Sequence, residues 1–118
     1  MVGVRVQGDE LQVEVLGSHR LWALKRRLRV PLSHVVSVRR AIDEDFRRTG
    51  LRLPGTYVPG LIIAGTFRRR GARSFFDVRR KDRAIVIELH DDAYVRVVVE
   101  VVDPDETVSV IERARRAA

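Results

Sequence analysis

The sequence predicts a mainly β fold closed by one C-terminal α-helix, and the last third of the chain carries most of that expectation. Three strand-like runs, Ser74 to Val78, Ala84 to Leu89 and Val95 to Val102, lead directly into a helix that begins at Asp103, Pro104, Asp105 and Glu106. Val95, Val97, Val99 and Val101 alternate onto one face of a strand, while Arg96, Val98, Glu100 and Val102 fall on the other. That alternation predicts one dry face and one mostly wet face. Antiparallel strands followed by a single helix predict a small barrel or sandwich, a bent antiparallel sheet with an open end plugged by that helix.

The elements follow in order from local patterns. Val4 and Val6 alternate with Arg5 and Gln7, Gly8, Asp9 and Glu10 supply a turn, and Leu11, Val13 and Val15 alternate with Gln12 and Glu14, which predicts a β-hairpin. Gly17, Ser18 and His19 end it, and Arg20 to Lys25, around Trp22, is a helical turn or an irregular connection. Leu28, Val30 and Leu32 alternate with Arg27 and Arg29 in the next strand, and Pro31, lacking an N–H, marks an edge or a strand end. Ser33 and His34 turn the chain into a strand over Val35 to Arg40.

Periodicity stops from Ala41 to Gly60, where Gly50, Pro54, Gly55, Pro59 and Gly60 punctuate a long connection. Leu51, Leu53, Tyr57 and Val58 give it apolar content to pack, so an ordered loop is expected. Leu61 to Phe67 is the next strand, with Gly65 permitting a bulge or bend. Arg68 to Ala72 form a basic turn in which Gly71 can take positive φ. Asp91 and Asp92 make a tight turn between the last two strands. In the helix Asp103 caps, Pro104 sits where its missing N–H costs nothing, and Glu106 is placed to complete a capping box. Val108, Ile111 and Ala114 form its inward stripe, and Arg113, Arg115 and Arg116 lie near its negative end.

Length and composition set the bounds. A chain of 118 residues supports one hydrophobic core, so a single domain over residues 1–118 is expected. With 45% hydrophobic and 33% charged residues in periodic runs, it reads as globular and not disordered. It has no cysteine, which removes disulfides, thiolate metal ligands and thiol nucleophiles together. No apolar stretch approaches membrane-spanning length, and Met1 to Gly8 lacks the regions of a secretion signal, so a cytoplasmic location is expected.

The strand order and several local motifs resemble a family of small bacterial and archaeal pleckstrin-homology-like (PH-like) proteins. The motifs are Arg20, Leu21, Trp22, Ala23, Leu24, Lys25 leading into Arg29 to Val35; Pro54, Gly55, Thr56, Val58, Pro59, Gly60; Ala64, Gly65, Thr66, Phe67; and Ala84 to Leu89. The resemblance implies a meander of about eight strands with a C-terminal helix, and it transfers no activity. Phosphoinositide-binding PH domains hold the headgroup with basic residues around the first hairpin loop, whereas Asp9 and Glu10 occupy that loop here and would repel it.

Enzyme chemistry finds no foothold: the chain has no P-loop, dinucleotide fingerprint or nucleophile elbow, and His19, His34 and His90 lack metal-motif spacing. No cofactor or metal is expected, and Asp43, Glu44 and Asp45 read as an exposed acidic patch. The net charge of +7 rests almost wholly on arginine, because Lys25 and Lys81 are the only lysines. Lys25, Arg26, Arg27 and Arg29 form one candidate anion-binding cluster, and Arg68, Arg69, Arg70 and Arg73 a second at a hairpin tip. Arginine suits phosphate because its planar fork makes two parallel hydrogen bonds. Aromatic stacking partners are few, at 6% of the chain, and alternation would bury one of Phe75 and Phe76. Trp22, Tyr57 and Val58 are a candidate protein interface. The expected function is a non-catalytic binding module that recognises another protein or a second copy of itself; the alternative is an anion-binding module for acidic lipid headgroups or nucleic acid.

Overall fold

A computed structural model describes residues 2–15, 27–47 and 63–117. The Arg20 to Lys25 connection and most of the long loop after Arg47 lie outside the described residues. The fold is mainly β with one C-terminal helix, as the sequence predicts. Strands β1 (Val2–Gln7), β2 (Glu10–Val15) and β3 (Arg27–Pro31) form one antiparallel sheet in that order. Strands β4 (Val35–Arg40), β5 (Ile63–Arg69), β6 (Ala72–Val78), β7 (Ala84–Leu89) and β8 (Arg96–Glu100) form a second, ordered β4-β7-β8-β6-β5. The helices are α1 (Asp43–Arg47) and α2 (Pro104–Ala117). The two sheets do not close into a barrel. Among the described residues no helix is long and apolar enough to cross a membrane.

Both predicted hairpins form, each through a two-residue loop. Gly8 at φ +63° joins β1 to β2, and Arg70 at +52° with Gly71 at +81° joins β5 to β6, the latter with both central residues left-handed as a type I′ turn requires. Pro31 ends β3, and a 3-10 turn over Leu32–His34 leads into β4. Its first amide is held by the Asp9 carbonyl at 2.8 Å, which ties this turn to the first hairpin.

Three expectations are corrected. The larger sheet is not a simple meander, because β6 and β8 pair in parallel, Ser74 opposite Arg96 and Asp77 opposite Val99. The second face of β8 is not wet: Val98 is fully buried and Glu100 is 4% exposed. A second core covers that face, in which Phe46, Ile63, Phe76, Val78, Ala84, Val86 and Val98 pack together. Glu100 is tolerated there because one carboxylate oxygen accepts the Arg79 and Arg80 amides at 2.7 and 2.9 Å. The turn between β7 and β8 is longer than a tight turn, since the Leu89 amide bonds the Val95 carbonyl and leaves five residues between them.

The main core lies between the smaller sheet, the opposite face of the larger one and α2. It gathers Val2, Leu11, Val13 and Val30 from one sheet, Ile85, Ile87, Phe75, Val97 and Val99 from the other, and Ile111 from the helix. Val35 and Val38 both reach it despite their three-residue spacing, because a bulge between Val35 and Ser37 shifts the register and turns Val36 outward at 51% exposure. Gly65, at φ +123°, lies in an unshifted register opposite Phe76, so the bulge allowed there does not form.

The start of α2 matches its sequence signature: Asp103 Oδ1 accepts the Glu106 amide at 3.1 Å. Ile111 is fully buried, with Val108 and Ala114 packed beside it. α2 packs against edge strand β4, and its Glu112 is bonded by Arg115 at 2.9 Å. The Arg115 hydrogen bond holds the Glu112 carboxyl below its ordinary range. The helix thereby covers an edge that would otherwise offer unpaired groups.

The loop after β4 contains a helix that periodicity did not announce. Its Asp45 is buried, so the acidic patch expected over Asp43 to Asp45 is corrected at that position. The Arg39 guanidinium binds it through both nitrogens at 2.8 and 2.6 Å, and the Ile42 amide donates at 2.7 Å. Burial pushes the Asp45 carboxyl up, but the Arg39 and Ile42 hydrogen bonds outweigh it and the group rests below its ordinary value.

Ile111→Ala should cost about 2–5 kcal/mol in urea unfolding, as expected for a fully buried aliphatic side chain. Asp45→Asn should cost about 2–3 kcal/mol near neutrality, less than a fully buried pair because the Arg39 side chain is 39% exposed. A depressed carboxyl stabilises the fold above its unfolded value of 3.8. The gap between parent and variant should therefore be full above that pH and close as pH falls through the folded value.

Candidate functional site

The order of the larger sheet brings five chain segments to one end. The start of β4, the end of β7, the start of β8, the start of β6 and the end of β5 all lie there, as their pairings require. This end carries His34, the His90 to Tyr94 turn, Arg73, Arg68 and the Arg70–Gly71 tip.

Arg68 and Arg73 are directly opposed across the β5–β6 ladder, so both side chains leave the same face of the sheet. Like charges in that position repel. Tyr94 reaches this face from the β7–β8 turn because β8 pairs with β6 and the Val95 amide bonds the Arg73 carbonyl at 2.9 Å. The Arg73 guanidinium carbon lies 5.0 Å from the centre of the Tyr94 ring, within cation–π range. Tyr94 is itself fixed: its ring meets Phe75 edge-on at 6.0 Å, and its hydroxyl shares a 3.2 Å hydrogen bond with Thr66. Arg73 Nε is buried without a hydrogen-bond partner. Among the described residues no carboxylate forms an ion pair with Arg68, Arg70 or Arg73.

The other basic candidates differ. Arg27 bonds Glu14 at 2.9 Å, and Arg29 lies 3.9 Å from Glu10. Their charge is compensated on the smaller sheet. Chain continuity places β3 next to β4, and β4 is three strand spacings, about 14 Å, from β6. Lys25, Arg26, Trp22, Tyr57 and Val58 lie outside the described residues, as does the side chain of Arg69.

The histidines are closer than their sequence separation suggests. His34 and His90 lie with ring centres 6.0 Å apart, because Val35 pairs with Leu89. His34 Nδ1 lies 3.0 Å from an Asp92 carboxylate oxygen; His90 Nε2 lies 2.8 Å from the Ser33 carbonyl and its Nδ1 3.1 Å from Asp91. These contacts lock the 3-10 turn against the β7–β8 turn. Among the described residues no group of three or more His, Cys, Asp or Glu is placed to hold a metal. Elsewhere, burial pushes the Asp77 carboxyl above its ordinary value, reinforced by Glu100 and opposed by Arg79.

Sequence reasoning missed Tyr94 as the aromatic neighbour of the second arginine cluster. Phe75 and Phe76, the pair considered for it, are both buried, one in each core. Alternation foretold the burial of one; the covered second face accounts for the other. Comparison with protein-family models, with curated proteins and with solved structures finds no match.

The strain at the tip is measurable. Arg70→Asn places a residue that tolerates left-handed backbone before Gly71 and should raise stability by about 0.5–1 kcal/mol. Arg68→Gln, which removes the repulsion with Arg73, should be neutral or stabilising by less than about 1 kcal/mol. Arg27→Gln should instead lose up to about 1 kcal/mol with its Glu14 bond. Thermal melts of the three variants at one ionic strength read the contrast.

Proposed function

We propose that this chain is a non-catalytic, PH-like binding module that recognises another protein, a second copy of itself included, through acidic groups on that partner. What carries the reading is the Arg68–Arg73 pair beside Tyr94: two arginines without a carboxylate partner among the described residues, held on paired strands against an aromatic ring. Arginine and tyrosine are the residues that most often concentrate binding energy at protein interfaces. The mainly β layout with its C-terminal helix supports the PH-like assignment, and the parallel β6–β8 pair departs from a plain meander. The reading carries with it the cytoplasmic location expected from the sequence.

Acidic lipid headgroups or nucleic acid are the alternative partners. They fit less well because Arg27 and Arg29 face glutamates, and because Asp91 and Asp92 stand in the same turn as Tyr94. An extended polyanion would meet those carboxylates as well as the arginines.

The test is a titration of the parent and of Arg68→Gln/Arg73→Gln with a Glu-rich degenerate peptide pool, anionic vesicles and duplex DNA. The expected result is saturable peptide binding that the double variant weakens at least about tenfold, with no comparable effect of Arg27→Gln. Binding confined to vesicles or DNA, with a steep salt dependence, would replace this reading with the alternative.

A further inference from the structure

We infer that Arg68 and Arg73, backed by Tyr94, form a receptor for one compact dianion, a phosphate monoester carried on a protein partner. The inference rests on the protein-recognition reading above and names the group that the partner presents.

Charge supports it first. Two guanidinium groups project from directly opposed positions, and among the described residues no carboxylate neutralises either. A phosphate monoester carries close to two negative charges at neutral pH, and its three oxygens can accept from two forks at once. A single carboxylate would leave half of that charge uncompensated.

Orientation supports it next. The face-on contact with Tyr94 holds the planar Arg73 fork in place before any ligand arrives. Tyr94 cannot readily swing away, because Phe75 and the Thr66 hydroxyl hold its two ends. Arg73 Nε is a buried donor without an acceptor, and an unmade hydrogen bond on a charged group is costly. An anion bound at the terminal amino groups of the same fork would offset that cost without reaching Nε itself. Arg68 is exposed and free to close over the opposite side of the anion.

Size is set by the neighbours. The turn that delivers Tyr94 also carries Asp91 and Asp92, with the Asp91 side chain 85% exposed. These carboxylates tolerate one anion seated between the arginines and oppose a flat anionic surface or a chain of phosphates.

The experiment uses the intact chain and a phosphoserine-oriented degenerate peptide pool, with the same pool carrying Ser or Glu instead. The Arg73 Nε–H resonance is followed in parallel during titration with inorganic phosphate. The expected result is a shift of that resonance with phosphate and at least about tenfold tighter binding of the phosphorylated pool than of either control. Arg68→Gln and Arg73→Lys should each abolish that preference, the second while keeping the charge, and Arg27→Gln should leave it intact. Equal binding of the phosphorylated and Glu pools overturns this inference and leaves the protein-recognition reading standing. An Arg73 resonance unmoved by phosphate, or equal effects of Arg27→Gln and Arg68→Gln, also overturns it. Vesicle binding in place of peptide binding overturns both.

Discussion

β8 is hydrogen-bonded on both sides and covered on both faces, so each residue from Arg96 to Glu100 satisfies a ladder and a packing surface at once. Val97 and Val99 point into the main core and Val98 into the second. The two polar residues of the strand are confined to the second face, and both are engaged: Arg96 with Glu88 at 3.1 Å, and Glu100 with two backbone amides. Burial without such partners would cost more than the strand gains. The parallel pairing with β6 also sets where Tyr94 emerges relative to Arg73, so the candidate site is a geometric consequence of this strand.

The basic excess is less available than a net charge of +7 suggests. Arg39 is committed to Asp45, Arg96 to Glu88, Arg27 to Glu14 and Arg115 to Glu112. Arg40 bonds the Asp82 carbonyl at 2.6 Å. All but Arg115, whose partner lies in the same helix, hold one segment to another, and β4 in particular is anchored to both α1 and the rest of its sheet. Net charge alone therefore says little about where an anion would bind. What distinguishes the β5–β6 end is local: repulsion across a strand pair, a strained arginine at its turn and a buried guanidinium nitrogen lacking an acceptor.

Local patterns were legible in the sequence wherever one element decides its own form. The strands over Val35–Arg40 and Ala84–Leu89 coincide with their apolar runs, and Asp103-Pro104-Asp105-Glu106 marks the helix start. Pairing between distant elements was not legible. Nothing local to Ser74 or Arg96 announces a parallel pair, and the crossover through β7 makes that contact long-range. Glu100 reads as solvent-facing because its partners are main-chain amides, which leave no side-chain signature. α1 is a five-residue helix opened by three acids, with Asp45 and Phe46 buried, too short for periodicity to show. The second arginine cluster was visible as composition; its aromatic backing was not, since Tyr94 lies more than twenty residues away in sequence.

The rigidity of the site follows from its attachment to both cores. Thr66 and Phe75, which hold the Tyr94 ring, are directly paired across β5 and β6, so Arg68 and Arg73 are the next pair along that same face after one intervening residue on each strand. Phe75 is packed into the main core and Phe76 into the second, which fixes β6 from both sides. A displacement of Arg73 would therefore disturb a buried aromatic residue on either face. The side chains that would meet an anion sit on the same paired strands that the cores immobilise, and the orientation of the Arg73 fork is settled by folding and not by the ligand.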